Sequence, residues 1–173
     1  MANIDNFKAK LTGGGARSNL FKATVNFPGY TGGDVELTSF MVKAAQLPSS
    51  MINPIIMPFR GRQLKIAGDR SFEPWTIVVI NDAGFSTRNA FERWMNGINQ
   101  HKANTGFTDP TDYQADMIIE QLDKGGNTIK KYDFRGTFPT MLGPIEVCYD
   151  SENTIEEFQV ELQVQYWESD TTS

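Results

Sequence analysis

With 173 residues, of which 39% are hydrophobic, the chain is long enough for one domain with a substantial core. Its net charge of −5 excludes a general basic surface that would grip nucleic acid, and a single cysteine, Cys148, excludes an internal disulfide bond. No apolar run approaches the roughly eighteen residues of a membrane-spanning helix, and the first part of the chain lacks the apolar segment of a signal peptide.

The N-terminal segment, residues 1–18, has few apolar anchors. Only Ile4, Phe7 and Leu11 are large and apolar, and a glycine triplet follows them. Ordering this segment costs roughly 20–30 kcal/mol in conformational entropy, whereas burying three such side chains returns about 5–8 kcal/mol. We therefore expect an arm that is flexible unless another chain holds it.

Two strands are predicted after the arm. Between Phe21 and Phe27 apolar side chains alternate with polar ones, which is typical of a half-buried strand. A Pro-Gly and a Gly-Gly turn follow. Residues from Val35 to Ala45 are then predicted to form a second strand, which ends before Pro48.

The segment 48–70 is apolar but has the period of neither a strand nor a helix. Three prolines exclude a central strand or a helix in its first half, and Arg60, Arg62 and Lys65 make its tip basic. A long apolar loop in a compact domain is unusual and often functional. Either it folds back on its own core, or it docks against another subunit. Its apolar members are Met51, Ile52, Ile55, Ile56, Met57 and Phe59.

A buried strand is predicted from Trp75 to Ile80. Gly68-Asp69 is a turn signal, and Pro74 ends any helix before it, because proline disfavours the α region for its predecessor. Five of the six residues from Trp75 onwards are apolar and most are β-branched, which indicates a strand with both faces buried.

A helix is predicted from about Ser86 to Asn99, with Ser86 as its N-cap. Four apolar side chains fall at positions i, i+3, i+4 and i+7 and form one stripe. They are Phe91, Trp94, Met95 and Ile98.

The C-terminal half is predicted to be strands only. Ala115–Asp123 and Thr128–Phe138 form a hairpin, Ile145–Tyr149 is a short strand, and Thr154–Trp167 is a long one. The apolar face of the long strand carries Phe158, Val160, Leu162, Val164 and Tyr166; its polar face carries Glu157, Gln159, Glu161, Gln163 and Gln165. Together the elements predict a mainly β, α+β fold: an antiparallel β-sandwich or small barrel with one packed α-helix.

No combination of side chains predicts catalysis or metal binding. His101 is the only histidine and lies in a polar stretch. The spacing of Asp109, Asp112 and Asp116 matches no calcium-binding EF-hand loop. Cys148 has no partners for a metal site. We expect a protein that is not an enzyme and that needs no cofactor.

Three segments together resemble the tail tube proteins of long contractile-tailed bacteriophages. They are Lys65–Asp82, Gly136–Gly143 and Ile155–Trp167, and they occur in the family's order over most of the chain. The N-terminal arm departs most from the family pattern. The matching residues are Gly68, Asp69, Arg70, Trp75, Pro139, Gly143 and Trp167, with Gly68 and Gly143 as turn residues.

The resemblance implies a structural virion protein. Subunits of this family join edge to edge in hexameric rings, and their inner sheets close into one larger barrel. The rings stack into a hollow tube inside the contractile sheath, and double-stranded DNA passes down the lumen without specific binding. The implied partners are further copies of the chain, the tail sheath protein, the baseplate or tube initiator, and the tail terminator. The implied location is the virion tail, after assembly in the host cytoplasm, without membrane insertion.

The resemblance also organises the chain into a tail tube domain at 19–168, between the arm and a C-terminal tail at 169–173. It places an inter-ring docking loop at 48–70. The candidate inter-ring contacts are Met51, Ile52, Ile55, Ile56, Met57, Phe59, Arg60, Arg62, Asp69 and Arg70. Two candidates for the lumen wall remain open: the polar face from Glu157 to Gln165, and a hairpin face on which the charges of Lys131, Asp133 and Arg135 partly cancel.

Two alternatives remain. One is the tube of a phage-derived injection machine or a type VI-like secretion machine, which genomic neighbours would distinguish. The other is a soluble carbohydrate- or peptide-binding β-sandwich, which strictly monomeric behaviour at high concentration would favour.

Overall fold

The computed structural model describes residues 3–172, apart from the side chain of Thr12. Met1 and Ala2 of the predicted arm and Ser173 of the predicted tail lie outside the described residues. In chain order the helices and strands are α1 (Ile4–Lys10), β1 (Phe21–Val25), α2 (Val35–Met41), β2 (Val42–Ala45), β3 (Ser50–Phe59), β4 (Arg62–Phe72), β5 (Trp75–Ile80), α3 (Ser86–Ile98), α4 (Pro110–Tyr113), β6 (Ala115–Leu122), β7 (Thr128–Leu142), β8 (Glu157–Gln163) and β9 (Tyr166–Ser169).

The main sheet is antiparallel throughout and has the order β1-β6-β7-β8-β5-β2, with β9 also paired to β7. The long strand β7 belongs to two layers. Its first part pairs with β6 and β9. Layer one consists of this part of β7, together with β6, β9 and β1, which pairs with β6. Its last part, 138–142, pairs with β8. Layer two consists of this part of β7, together with β8, β5 and β2, which pair in that order.

The two layers pack face to face around one core. The ring of Trp75 in layer two stacks on that of Phe134 in layer one, with centroids 4.5 Å apart. Helix α3 adds Phe91 and Trp94, both fully buried, and Phe91 meets Phe158 of β8 edge to face. The outward faces of the layers therefore point away from each other. The predicted fold class is confirmed, and α1, α2 and α4 are short helices that the sequence pattern did not predict.

Gly136 marks the point where β7 passes from one layer to the other. Its φ of 60° lies in the left-handed region, and a Cβ there would stand 2.8 Å from the Gln165 side chain. The register of β7 against β6 also shifts here, between the pairs of Ala115 and Met117. A glycine at this bulge lets the strand bend sharply.

Helix α3 confirms its predicted limits to within one residue, and the apolar stripe faces the core. The prediction of Ser86 as N-cap is wrong: Phe85 occupies that position with a φ of 53° and makes no side-chain capping bond. The carboxylate of Asp82 caps the helix instead, because it accepts hydrogen bonds from the backbone N–H groups of Ser86 (3.0 Å) and Thr87 (3.2 Å).

Asp82 should give the fold a pH-dependent contribution. Partial burial alone would raise the pKa of Asp82, but its hydrogen bonds from Ser86 and Thr87 outweigh this and hold the pKa below its ordinary value. Such a carboxylate stabilises the fold above its unfolded pKa, and the stabilisation is lost as pH falls through the lower, folded pKa. Asp82→Ala should therefore cost about 1 kcal/mol at neutral pH and progressively less below about pH 4, measured by urea unfolding. Asp112→Ala, at an exposed carboxylate, is the matched control; equal losses in both variants would contradict the capping role.

The prediction of one strand from Val35 to Ala45 is wrong. Residues 35–41 form α2, and only 42–45 are a strand. The Asp34 carboxylate caps the helix by accepting a hydrogen bond from Leu37 N at 3.0 Å, and Thr38 is buried while Phe40 is 79% exposed. The local cap and the burial of one helical face outweigh the β propensity of the segment.

Two strand predictions near the C-terminus are also wrong. Ile145–Tyr149 is irregular, and Thr154–Trp167 is divided into β8 and β9 by a bend at 164–165. The bend reverses the alternation, so Tyr166 is 47% exposed rather than buried, although the four earlier members of its predicted apolar face are buried. Gln165 therefore lies at the bend, outside the strand.

The predicted arm contains α1, whose side chains are all exposed, including Ile4 at 67% and Phe7 at 65%. Its flexibility stays a prediction. Among the helices formed by residues 3–172, none is long and apolar enough to cross a membrane.

Candidate assembly surfaces

The segment predicted as an irregular loop is a β-hairpin. Strands β3 and β4 pair with each other, form a separate two-stranded sheet, and turn at Arg60-Gly61. We call residues 50–72 the exposed hairpin. Both strands are edge strands, so the prolines of β3 can direct their missing N–H positions away from the ladder, which is why they do not break it.

Gly68 is not a turn residue. It lies inside β4, where Gly68 and Asp69 together oppose the single residue Asn53, and the register shifts there. A Cβ on Gly68 would stand 2.5 Å from the carbonyl oxygen of Asn53, so this bulge requires glycine. The Gly68-Asp69 pair therefore indicates a backbone irregularity correctly, but the irregularity is a β-bulge and not a turn.

Apart from Phe72 at its base, which meets Trp167 edge to face, the apolar side chains of the exposed hairpin do not fold back on the core. Every residue of β3 is exposed, and Leu64 and Ile66 of β4, which are not among the predicted contacts, are 58% and 44% exposed. Contiguous exposed apolar surface of this kind marks an interaction site. The fractional exposures of the predicted contacts are Met51 50%, Ile52 50%, Ile55 54%, Ile56 51%, Met57 50% and Phe59 67%.

The charges of the exposed hairpin have no partners within residues 3–172. Arg60, Arg62, Lys65 and Arg70 form no ion pair there, and neither does Asp69. The Arg60 guanidinium lies 5.4 Å from the centre of the Phe59 ring. The tip therefore presents unneutralised positive charge beside apolar side chains.

The first lumen candidate lies on the outward face of layer two. Glu157, Gln159, Glu161 and Gln163 of β8 alternate with buried side chains. Lys43 of β2 forms an ion pair with Glu157 on this face, so its one nearby basic group is neutralised. The predicted fifth member, Gln165, is not part of this face.

The second lumen candidate lies on the outward face of layer one. Lys131 pairs with Asp133 at 3.1 Å, and Arg135 pairs with Asp116 at 2.7 Å and Glu168 at 3.2 Å. The hydrogen bonds that Arg135 donates to the carboxylates of Asp116 and Glu168 raise the pKa of Arg135 further above its ordinary value. Because the layers face in opposite directions, the two candidates lie on opposite sides of the molecule.

The layers also differ at their edges. In layer two, β2 pairs only with β5 and residues 138–142 of β7 pair only with β8, so both outer edges are unpaired within the described chain. In layer one, β9 also pairs only with β7, but at the opposite edge α2 lies beside β1, where the Ser39 hydroxyl donates to the Ala23 carbonyl at 2.6 Å. Unpaired edges are ready sites for pairing with another chain.

The side chains considered for chemistry are dispersed. His101 and Cys148 are exposed, Asp109 accepts two hydrogen bonds from Thr111 at the start of α4, and Asp116 pairs with Arg135. Residues 3–172 contain no group of three or more potential metal-ligating side chains placed to hold an ion.

Known proteins resemble this chain over nearly its whole length. The sequence profile of the family described as phage tail tube protein matches residues 5–170. Tail tube protein gp19 of Enterobacteria phage T4 is 32% identical over 163 residues, covering 93% of this chain and 96% of that protein. The tail tube protein of Serratia phage KSP90 is 27% identical and covers 94% of each chain. A chain in the sheath–tube complex of PVC, an extracellular contractile injection system, in its extended state superposes with a TM-score of 0.66 at 13% identity, covering 93% of this chain and 95% of its own.

Proposed function

The chain belongs to the phage tail tube protein family, and from this premise we propose that it polymerises as stacked hexameric rings into the inner tube of a contractile tail, the conduit for double-stranded DNA. The protein is a structural component of the phage tail and not an enzyme.

The observation that carries the ring is the pair of unpaired edges of layer two. A subunit on each side adds its own layer two to these edges, and a ring of subunits closes the sheets into one barrel. Closure removes the edges that would otherwise pair without limit. The edge of layer one beside α2 is partly occupied by that helix, which favours layer two as the barrel wall.

We propose that the outward face of layer two lines the lumen. The buried side of this layer packs against layer one, so only its polar face, from Glu157 to Gln163, can point towards the channel. On this face the described strands carry the carboxylates and amides of β8, Thr76, Val78 and Ile80 of β5, and Lys43, which is paired with Glu157. These strands therefore present no free cation to hold a phosphate backbone that must slide. Lys131, Asp133 and Arg135 then lie on the outside of the tube.

The exposed hairpin supplies the contact between rings in this proposal. The six predicted apolar contacts of β3 are half-exposed or more in the single subunit and become buried when the next ring docks. The tail sheath protein, the baseplate or tube initiator, and the tail terminator are the proposed further partners. Similarity to a chain from a sheath–tube complex supports a tube inside a sheath. Assembly in the host cytoplasm is part of the same proposal.

The two alternatives have less support. A tube of an injection or secretion machine shares the fold, but the sequence identity to the solved injection-system chain is 13%, against 32% for the phage protein. For a carbohydrate-binding sandwich, the tryptophans Trp75 and Trp94 cannot serve as a sugar-stacking platform, because both are buried in the core, as the sequence indicated.

Concentrated protein should form rings and tubes with a central hole, visible by negative-stain electron microscopy. Analytical ultracentrifugation over a range of protein and salt concentrations gives the populations. A chain that stays monomeric under every condition would contradict the proposed function.

A further inference from the structure

The loop between β7 and β8, residues 143–156, has a surface that the proposed function leaves unused. We call it the acidic loop. Its apolar side chains Val147, Tyr149 and Ile155 are 80%, 106% and 67% exposed, whereas Ile145 packs against the core. Its charged side chains are all acidic: Glu146, Asp150, Glu152 and Glu156.

Most of this negative charge is unpaired. Glu146, Asp150 and Glu152 form no ion pair within residues 3–172. The loop borders a groove of about 750 Å³ whose lining includes apolar Met141 and Val147 together with acidic residues. The surface is suited to a partner that is both apolar and basic.

Both ends of the acidic loop are fixed to layer two. The N–H of Gly143 donates to the Gln159 carbonyl at 2.7 Å, and the Arg88 side chain donates to the Gly143 carbonyl at 2.6 Å. At the other end, the Asn81 side chain donates to the Glu156 carboxylate at 2.8 Å. The groove therefore has a defined position at one end of the layer.

The exposed hairpin has the complementary chemistry. It carries four basic side chains and one acidic one, a net charge of +3, whereas the acidic loop has a net charge of −4. Both combine their charge with exposed aliphatic and aromatic side chains. Opposite charge on two apolar surfaces steers their encounter and fixes their register.

The two surfaces lie at opposite ends of layer two. Strand β5 begins at Trp75, directly after the exposed hairpin, and ends at Ile80, which pairs with Glu157 directly after the acidic loop. One subunit cannot bring its own two surfaces together without leaving its fold. Two copies can, in a heterologous head-to-tail contact that repeats along an axis.

We propose that the acidic loop of one subunit is the acceptor for the exposed hairpin of a subunit in the next ring. This inference rests on the proposed function, and it adds where the docking element binds. The basic tip lies against Glu146, Asp150 and Glu152, and the apolar side chains of the hairpin cover Val147 and Tyr149, which leaves the polar face of β8 open to the lumen.

The native Cys148 provides a direct test by disulfide cross-linking. Gln63 and Leu64 are exposed neighbours in β4 that point to opposite faces, so Gln63→Cys and Leu64→Cys are made separately. Each variant then carries one thiol on the hairpin and one on the acceptor. Mild oxidation of assembled tubes should give a ladder of dimers, trimers and longer covalent chains on a non-reducing gel for at least one variant. The same variant with Cys148→Ser should lose the ladder.

The outcomes separate the two proposals. Tubes that form but give no ladder with either variant would overturn this inference and leave the proposed function standing. Dimers that persist after Cys148→Ser would show hairpin-to-hairpin contact and also overturn it. Chains that do not assemble at all would overturn both.

Charge reversal gives a second test that does not depend on thiol geometry. Arg60→Glu with Arg62→Glu should raise the protein concentration needed for tubes at least about tenfold at low salt. Adding Glu146→Lys and Asp150→Lys to the same chain should recover most of that loss. A combined variant that assembles no better than the hairpin variant would contradict the pairing.

Discussion

Replacing Ile55, Ile56 and Met57 with serine should leave the subunit folded and abolish tube formation. Each side chain is about half-exposed in the single subunit, so docking can bury roughly the remaining half, worth about 1 kcal/mol each. A loss of about 3 kcal/mol per hairpin weakens one contact by roughly a hundredfold, and the loss is repeated by every subunit of a ring.

The measurement pairs electron microscopy of concentrated protein with near-ultraviolet circular dichroism. The expected variant keeps its dichroism and forms isolated rings or smaller species. Ile77→Ser, at a fully buried position of β5, is the control that should lose the dichroism. A triple variant that unfolds in the same way would show that the hairpin supports the subunit's core, and one that forms normal tubes would show that it does not stack the rings.

Adding positive charge to the proposed channel wall should slow DNA ejection without preventing assembly. Gln159→Lys with Gln163→Lys keeps the ion pair between Lys43 and Glu157 and adds two cations per subunit on the polar face of β8. Each lysine that meets a phosphate steepens the salt dependence by about 0.9 in log–log slope, and stacked rings multiply the contacts. We expect ejection slowed by about tenfold or more near 50 mM salt, with recovery near 200 mM.

A matched change on the opposite side of the molecule controls for charge alone. Glu120→Lys alters the net charge by the same amount on the outward face of layer one, where Glu120 pairs in register with Lys131. Ejection from virions carrying this variant should be normal. If it is slowed and the β8 variant is not, the face with Lys131, Asp133 and Arg135 lines the channel instead.

Elements with one buried face could be predicted from the sequence. The apolar stripe of α3 packs against the core, as its period of 3.6 indicates. The continuous apolar run of β5 predicts the strand, but only alternate residues are buried, so the prediction that both its faces are buried is wrong. The turn residues between β6 and β7 predict their hairpin, which is confirmed. Trp75 of β5 and Trp94 of α3 are both buried, as these patterns predict.

Elements shaped by caps and bulges could not be predicted in this way. The helix at 35–41 depends on the carboxylate of Asp34 as its cap. The single strand expected at the C-terminus is divided by a bend at 164–165, where the sequence has no glycine or proline. The exposed hairpin has apolar residues on both faces, so it lacks the alternation that identifies a half-buried strand. Its candidate contact residues can still be identified from the sequence, because the apolar composition of the segment is evident without any periodic pattern.

Strand β7 has a mechanical consequence. One uninterrupted backbone of 15 residues runs through both layers, and the layers are interlocked by stacked rings such as those of Trp75 and Phe134. No linker separates the two layers, so a compressive load applied to one is transmitted covalently to the other. A tube built from such subunits is stiff within each subunit and bends first at the contacts between subunits.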